Sequence, residues 1–126
     1  MANTPESKVK ASVTKILKLH NVYHFFPPSN GFGRSGIPDI IACCFGRFIA
    51  IECKAGKGKA TALQLRELSR ISNAGGVALI IRENNVHVVE QLLNQMEKDY
   101  ARENPAPTAE RPSDSLVGED RFSRLP

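Results

Sequence analysis

The sequence has no apolar run long enough to cross a bilayer or to act as a secretory signal, and this predicts a cytosolic protein with no membrane partner. Its three cysteines, Cys43, Cys44 and Cys53, lack paired CxxC spacing. They fall in predicted strands and read as small buried apolar residues of a reduced compartment. His20, His24 and His87 are too isolated to argue a zinc site. The glycine- and lysine-rich segment Ala55-Gly56-Lys57-Gly58-Lys59-Ala60 does not have the spacing of a phosphate-binding P-loop, and its Gly-Lys pair does not precede Ser or Thr. That argues against nucleotide hydrolysis and against a nucleotide cofactor. A chain of 126 residues allows one domain with a modest core. Its formal charge of +4 understates the basic character of the first hundred residues, because residues 101–126 hold four arginines and five acids. A polyanionic partner suits that balance.

Against these absences stands one dense cluster of signals. Residues 37–44 are apolar apart from Asp39, residues 48–54 are apolar apart from Glu52 and Lys54, and Phe45-Gly46-Arg47 lies between them as a turn signal. The segment predicts a β-hairpin. With the turn centred on Phe45 and Gly46, antiparallel pairing puts Asp39 opposite Glu52, with Cβ atoms roughly 4.5 to 5.5 Å apart. A turn slid by one residue puts Asp39 opposite Lys54 instead, so the three side chains stay together in either register. Glu52 and Lys54 share a face about 6.5 to 7 Å apart along the strand. Two facing carboxylates in an apolar hairpin repel, and a divalent cation such as Mg²⁺ or Mn²⁺ removes the conflict. Lys54 is then placed to orient or deprotonate a water, or to meet charge on a phosphate. The simpler alternative is a structural ion pair of Lys54 with Asp39 or Glu52.

Taken together, Gly36-Ile37-Pro38-Asp39, Ile51-Glu52-Cys53-Lys54 and Thr61-x-x-Gln64 resemble the PD-(D/E)xK nuclease core, and within it the small VRR-Nuc branch. The resemblance covers roughly residues 4 to 90. It implies a restriction-endonuclease-like α/β fold, with a mixed β-sheet flanked by helices, and divalent-metal dependence. Standalone members resemble homodimeric resolvases of four-way DNA junctions, whereas versions fused to larger proteins act as monomeric flap nucleases. It further implies that Glu6 and the Cys53 carbonyl join Asp39 and Glu52 at the metal, and that Gln64 orients the lysine or the attacking water.

The residues themselves leave alternatives for two of these. Thr4 suits an N-cap, Pro5 the first helical position, and Val9, Val13, Ile16 and Leu17 form an apolar stripe running to about His20. Glu6 falls on that stripe, which points inward, yet an acid near a helix N-terminus is also favoured by the helix dipole. Thr61-x-x-Gln64 is equally a capping box, opening a helix with Leu65, Leu68 and Ile71 that ends at Gly75-Gly76. Capping and catalysis are compatible if that helix end faces the site.

Basic side chains around the motif, and one hydroxyl, are candidate DNA contacts: Lys10, Arg34, Ser35, Lys57, Lys59 and Arg66. Arg34 ends a glycine- and proline-rich loop over residues 21–34, Ser35 follows it on the way to Asp39, and each also reads as an ordinary solvated surface residue. Tyr23, Phe25 and Phe26 are expected in the core or at a subunit interface. Further on, the sequence predicts a strand over residues 76–81, a turn at Glu83-Asn84-Asn85, a short strand over 86–88 and a helix carrying Val89, Leu92, Leu93 and Met96. The nuclease domain is expected over residues 1–101, followed by a flexible proline-rich extension, 102–126, whose Phe122 and Leu125 are candidate docking residues. The whole predicts a metal-dependent, structure-specific DNA endonuclease, a four-way-junction resolvase acting as a homodimer. A flap, restriction-type or nonspecific nuclease, or a silent nucleic-acid-binding module, is the alternative.

Overall fold

A computed structural model describes residues 4–28 and 34–105. Helix α1, Pro5–Leu19, starts at Thr4, whose Oγ1 accepts from the Ser7 N–H at 3.1 Å, with Pro5 in the first turn. Its stripe buries Val9, Val13 and Leu17. Asn21, at φ 55°, then turns the chain into β1, Tyr23–Phe25. Strands β2, Ile40–Cys44, and β3, Arg47–Cys53, form the predicted hairpin. Phe45 at φ 50° and Gly46 at φ 80° make the two-residue turn whose twist matches the flanking strands. Helix α2, Ala62–Asn73, crosses over to β4, Val77–Ile81, and α3, His87–Glu103, closes the described fold.

The sheet order is β1-β2-β3-β4, antiparallel except for the parallel β3–β4 pair. Alternation along the strands decides what each face carries. Ile40, Ala42 and Cys44 of β2 and Ile49, Ile51 and Cys53 of β3 enter one core with Val13, Leu17, Val89, Leu93 and Met96 of α1 and α3. Fully burying a side chain such as Ile51 stabilises by about 1.5–3 kcal/mol. Asp39, Glu52 and Lys54 belong to the opposite face, against which α2 packs over β3 and β4. This is the predicted α/β class, a mixed sheet flanked by helices. No helix among the described residues is long and apolar enough to cross a membrane.

Several expectations are corrected. The loop expected over residues 21–34 contains strand β1, which pairs Tyr23, His24 and Phe25 with Cys43, Ala42 and Ile41. Tyr23, Phe25 and Phe26 are exposed, which corrects the core expectation but not that of a subunit interface: Tyr23 and Phe25 lie on the part of the sheet face that α2 leaves uncovered, and Phe26 lies against Lys10 of α1. Cys43, on that same face, is exposed, unlike Cys44 and Cys53. On α2 only Leu68 of the expected stripe is buried, while Leu65 faces out and Ile71 is half-buried. No strand forms at residues 86–88. Asn85 accepts from the Arg82 N–H at 2.6 Å and donates to the Ile80 carbonyl at 3.3 Å, so the chain turns and enters α3 at His87. Helix α3 runs on to Glu103. Phe122, Leu125 and most of the expected extension lie outside the described residues.

Candidate active site

The β2–β3 register pairs Ile40 with Ile51, so the next pair outward is Asp39 and Glu52, as the centred turn predicts. Asp39 sits at the bend before β2, where its Oδ2 accepts from the Cys53 N–H at 2.8 Å and is fixed across the hairpin. Gly36 makes this approach feasible. At φ 83° it adopts a conformation L side chains avoid, and a Cβ there would lie 2.5 Å from the Leu63 carbonyl carbon and 2.8 Å from the Gln64 nitrogen. The chain at Gly36, just ahead of Pro38 and Asp39, therefore packs directly on the first turn of α2.

That N-terminus delivers Gln64. Thr61 Oγ1 accepts from the Gln64 N–H at 3.2 Å, and Gln64 Oε1 accepts from the Thr61 N–H at 2.9 Å, completing the capping box. The other end of the same amide donates through Nε2 to Glu52 Oε2 at 2.9 Å. Capping and the active site thus use one side chain. Lys54 Nζ stands 3.7 Å from Glu52 Oε2 and 3.7 Å from Glu6 Oε1. A cavity of about 270 Å³ brings these groups together, lined by Glu6, Asp39, Glu52, Cys53, Lys54 and Gln64, with Ser7 and Lys10 from α1. Ser7 escaped the sequence reading. Its signal was its place three residues before Lys10 on the face that carries Glu6.

The electrostatics are unbalanced at one atom. Glu52 is 2% exposed, and its Oε1 is buried without a hydrogen-bond partner. Burial and then the neighbouring Asp39 carboxylate raise its pKa from 4.5 to about 7, against the opposing pull of Lys54. With both acids ionised neither supplies a donor, whereas a proton or a cation between them relieves the conflict. Buried hard oxygens with an orphaned lone pair are a donor set that suits a divalent ion. The Cys53 thiol is pushed up to about 12 by burial and by Asp39 and Glu52, so it stays protonated and offers no thiolate. Glu6 is half-exposed at the rim rather than buried on the stripe, because its turn of α1 projects past the core. As the side chains lie, no three His, Cys, Asp or Glu among the described residues converge on one point.

The DNA candidates are dispersed. Lys10 lines the cavity with Nζ 4.4 Å from the centre of the Phe26 ring. Lys57, Lys59 and Arg66 are exposed and do not line it, and Ser35 is exposed in the turn with Gly36. Arg34 lies elsewhere. Its Nε donates to Glu67 Oε1 at 2.8 Å beside a second, apolar cavity of about 430 Å³. Glu67 is buried, which its sequence neighbourhood does not signal, since its partner Arg34 lies 33 residues away.

Comparison with known proteins supplies the family. The model of the archaeal Holliday junction resolvase (Hjc) family matches residues 24–106, which include Asp39, Glu52, Lys54 and Gln64 but not α1. "Putative nuclease p44" of Acyrthosiphon pisum secondary endosymbiont phage 1 is 31% identical over 91 residues, spanning 71% of this chain and 94% of that protein. The chain belongs to the archaeal Holliday junction resolvase family within the PD-(D/E)xK-like nucleases, and is a structure-specific endonuclease that hydrolyses phosphodiester bonds.

Proposed function

We propose that this endonuclease acts on four-way DNA junctions as a homodimer and depends on Mg²⁺ or Mn²⁺ held by Asp39 and Glu52. The observation that carries the reading is the buried, unpartnered Oε1 of Glu52 facing a second carboxylate. An ion bound there would supply Lewis-acid neutralisation of the phosphate and a more acidic water. Every other role belongs to the chain. The Cys53 N–H fixes Asp39, and the Gln64 amide fixes Oε2 of Glu52, which leaves Oε1 for the ion. Lys54, held between Glu52 and Glu6, has donors to orient the attacking water or to meet charge on the scissile phosphate. Glu6 and the Cys53 carbonyl complete the ligand set in this reading, with Glu6 swinging inward from the rim. Lys10, Lys57, Lys59 and Arg66 contact phosphates, while Arg34 contributes through the loop it ties to α2.

Two incisions placed symmetrically across a junction need two sites at fixed spacing, which favours a two-fold dimer. Gly36 and Gln64 also support a kinship with the VRR-Nuc branch of the same superfamily. A bacterial cytoplasm, reached by way of the host or its phage, is the proposed setting. The test is cleavage of labelled four-way junction, flap, single strand and plain duplex in Mg²⁺, Mn²⁺ or EDTA, with wild type and Lys54→Ala. Junction-selective, metal-dependent cutting lost in the variant is expected. Equal cutting of plain duplex would sink the junction assignment, and binding without cutting in any ion would leave a silent binding module.

A further inference from the structure

The loop that leaves the active site is clamped from outside. Directly after Lys54, the Gly58 N–H donates to the Ala55 carbonyl at 2.9 Å, and Gly56 takes φ 55°. The run Gly56-Lys57-Gly58-Lys59 is exposed and has no apolar side chain to bury. Left to itself, a segment with two glycines pays the largest backbone entropy for holding one shape.

Residues just beyond β4 hold it nevertheless. The Arg82 guanidinium donates through Nη1 to the Gly58 carbonyl at 2.5 Å and to the Gly56 carbonyl at 3.4 Å. Glu83 Oε1 accepts from the Gly56 N–H at 2.7 Å. The base of this clamp is itself fixed, since the Arg82 N–H donates to Asn85 Oδ1 at 2.6 Å. Parallel pairing explains the meeting. Cys53 pairs with Ile81, and the Lys54 N–H donates to the Ile81 carbonyl at 3.0 Å, so the strand bearing Glu52 and the clamp leave the sheet side by side. Among the described residues neither Arg82 nor Glu83 forms an ion pair, and the charged groups of both are directed at loop backbone.

We infer that Arg82 and Glu83 are positioning residues for DNA, holding the Gly56-Lys57-Gly58-Lys59 loop in one conformation so that Lys57 and Lys59 meet a phosphate backbone beside the active site. Ordering of the loop then does not fall on the binding step. The inference rests on the nuclease reading above. It adds two residues, one of them an acid beside a DNA path, that no charge argument would select.

The discriminating pair is Glu83→Gln and Glu83→Ala in the full chain. Both remove one negative charge, but only the first keeps an acceptor for the Gly56 N–H. Binding to labelled four-way junction is measured in EDTA, cutting in Mg²⁺ in parallel, and thermal unfolding shows that each variant is folded. Glu83→Gln is expected to bind at least as well as wild type. Glu83→Ala should bind about fivefold less tightly than Glu83→Gln, raise KM with kcat within about threefold, and expose the Gly56 amide to faster hydrogen exchange. In a double-mutant cycle, Arg82→Ala should weaken binding about tenfold in wild type and less than about twofold in Lys57→Ala/Lys59→Ala. Should Arg82→Ala fail to fold, Arg82→Lys carries the same cycle with the charge retained. Equal behaviour of the two Glu83 variants, or full additivity in the cycle, overturns the clamp while leaving the nuclease reading intact. A wild-type chain that neither binds nor cuts junction DNA overturns both.

Discussion

Glu52 and Glu67 are about equally buried, at 2% and 6% exposure, and have opposite surroundings. Glu67 accepts from Arg34 at 2.8 Å and lies 3.8 Å from Arg70, so two guanidinium groups answer one carboxylate. Glu52 has Gln64 and a more distant Lys54 on one oxygen, nothing on the other, and a second acid opposite. Burial therefore does not by itself single out Glu52 as the candidate functional acid. The mark is a desolvation cost that the protein alone leaves uncompensated, at a place where a cation and a phosphate would compensate it.

The sharpest way to break this comparison is kinetic. Glu52→Gln or Asp39→Asn should reduce cleavage about 10³-fold or more, while Glu67→Gln keeps turnover within about threefold. Equal losses in single-turnover assays would erase the distinction. Next in size is the pH dependence of stability in EDTA. The folded pKa of Glu52, about 7, lies above its ordinary 4.5, so between these values the folded state binds more protons. This stabilisation is fully present below pH 4.5 and is lost as pH rises through 7, by on the order of 2–3 kcal/mol. Denaturant melts at pH 5 and pH 8 should show the loss in wild type and not in Glu52→Gln, and Mg²⁺ at pH 8 should restore it. A wild type and variant with parallel pH profiles would mean that Glu52 carries no such burden.

Smaller effects act on Glu52 through Gln64. Gly36→Ala forces its Cβ against the α2 backbone at an unfavourable φ and should cost about 1–3 kcal/mol while lowering kcat. Unchanged melting and activity would show that the close approach is dispensable. Thr61→Ala removes the cap and should cost about 1 kcal/mol with a modest fall in kcat, read by the same two assays. Because both substitutions act on the N-terminus of α2, they should disturb the Glu52 amide contact before the Glu67 pairs one turn further on.

The meeting of the candidate site residues was legible because the parts are local. A two-residue turn and strict alternation fix Asp39 against Glu52, and the three-residue spacing of a capping box fixes Gln64. Helix α1 was equally readable from Thr4, Pro5 and its stripe. What stayed hidden depends on distant partners. Strand β1 has three residues and exists by pairing with β2, so the turn chemistry after it dominated the reading. Arg34 read as a loop cation because Glu67 lies 33 residues away. Arg82 and Glu83 gave no signal, since their partners are backbone atoms more than twenty residues earlier. Cys43 and Leu65 were misjudged for another reason: patterning identifies apolar faces but not which of them another element covers.

The mixed sheet also orders events in time. A two-residue hairpin such as β2–β3 closes in about 1–10 µs, whereas parallel pairing of β4 with β3 must wait for a crossover that includes all of α2. During synthesis Asp39, Glu52 and Lys54 therefore emerge before the helix that brings Gln64 to them. The nascent hairpin holds two repelling acids and a lysine with no amide to orient them, and on the proposed reading the site is complete only when the crossover has closed.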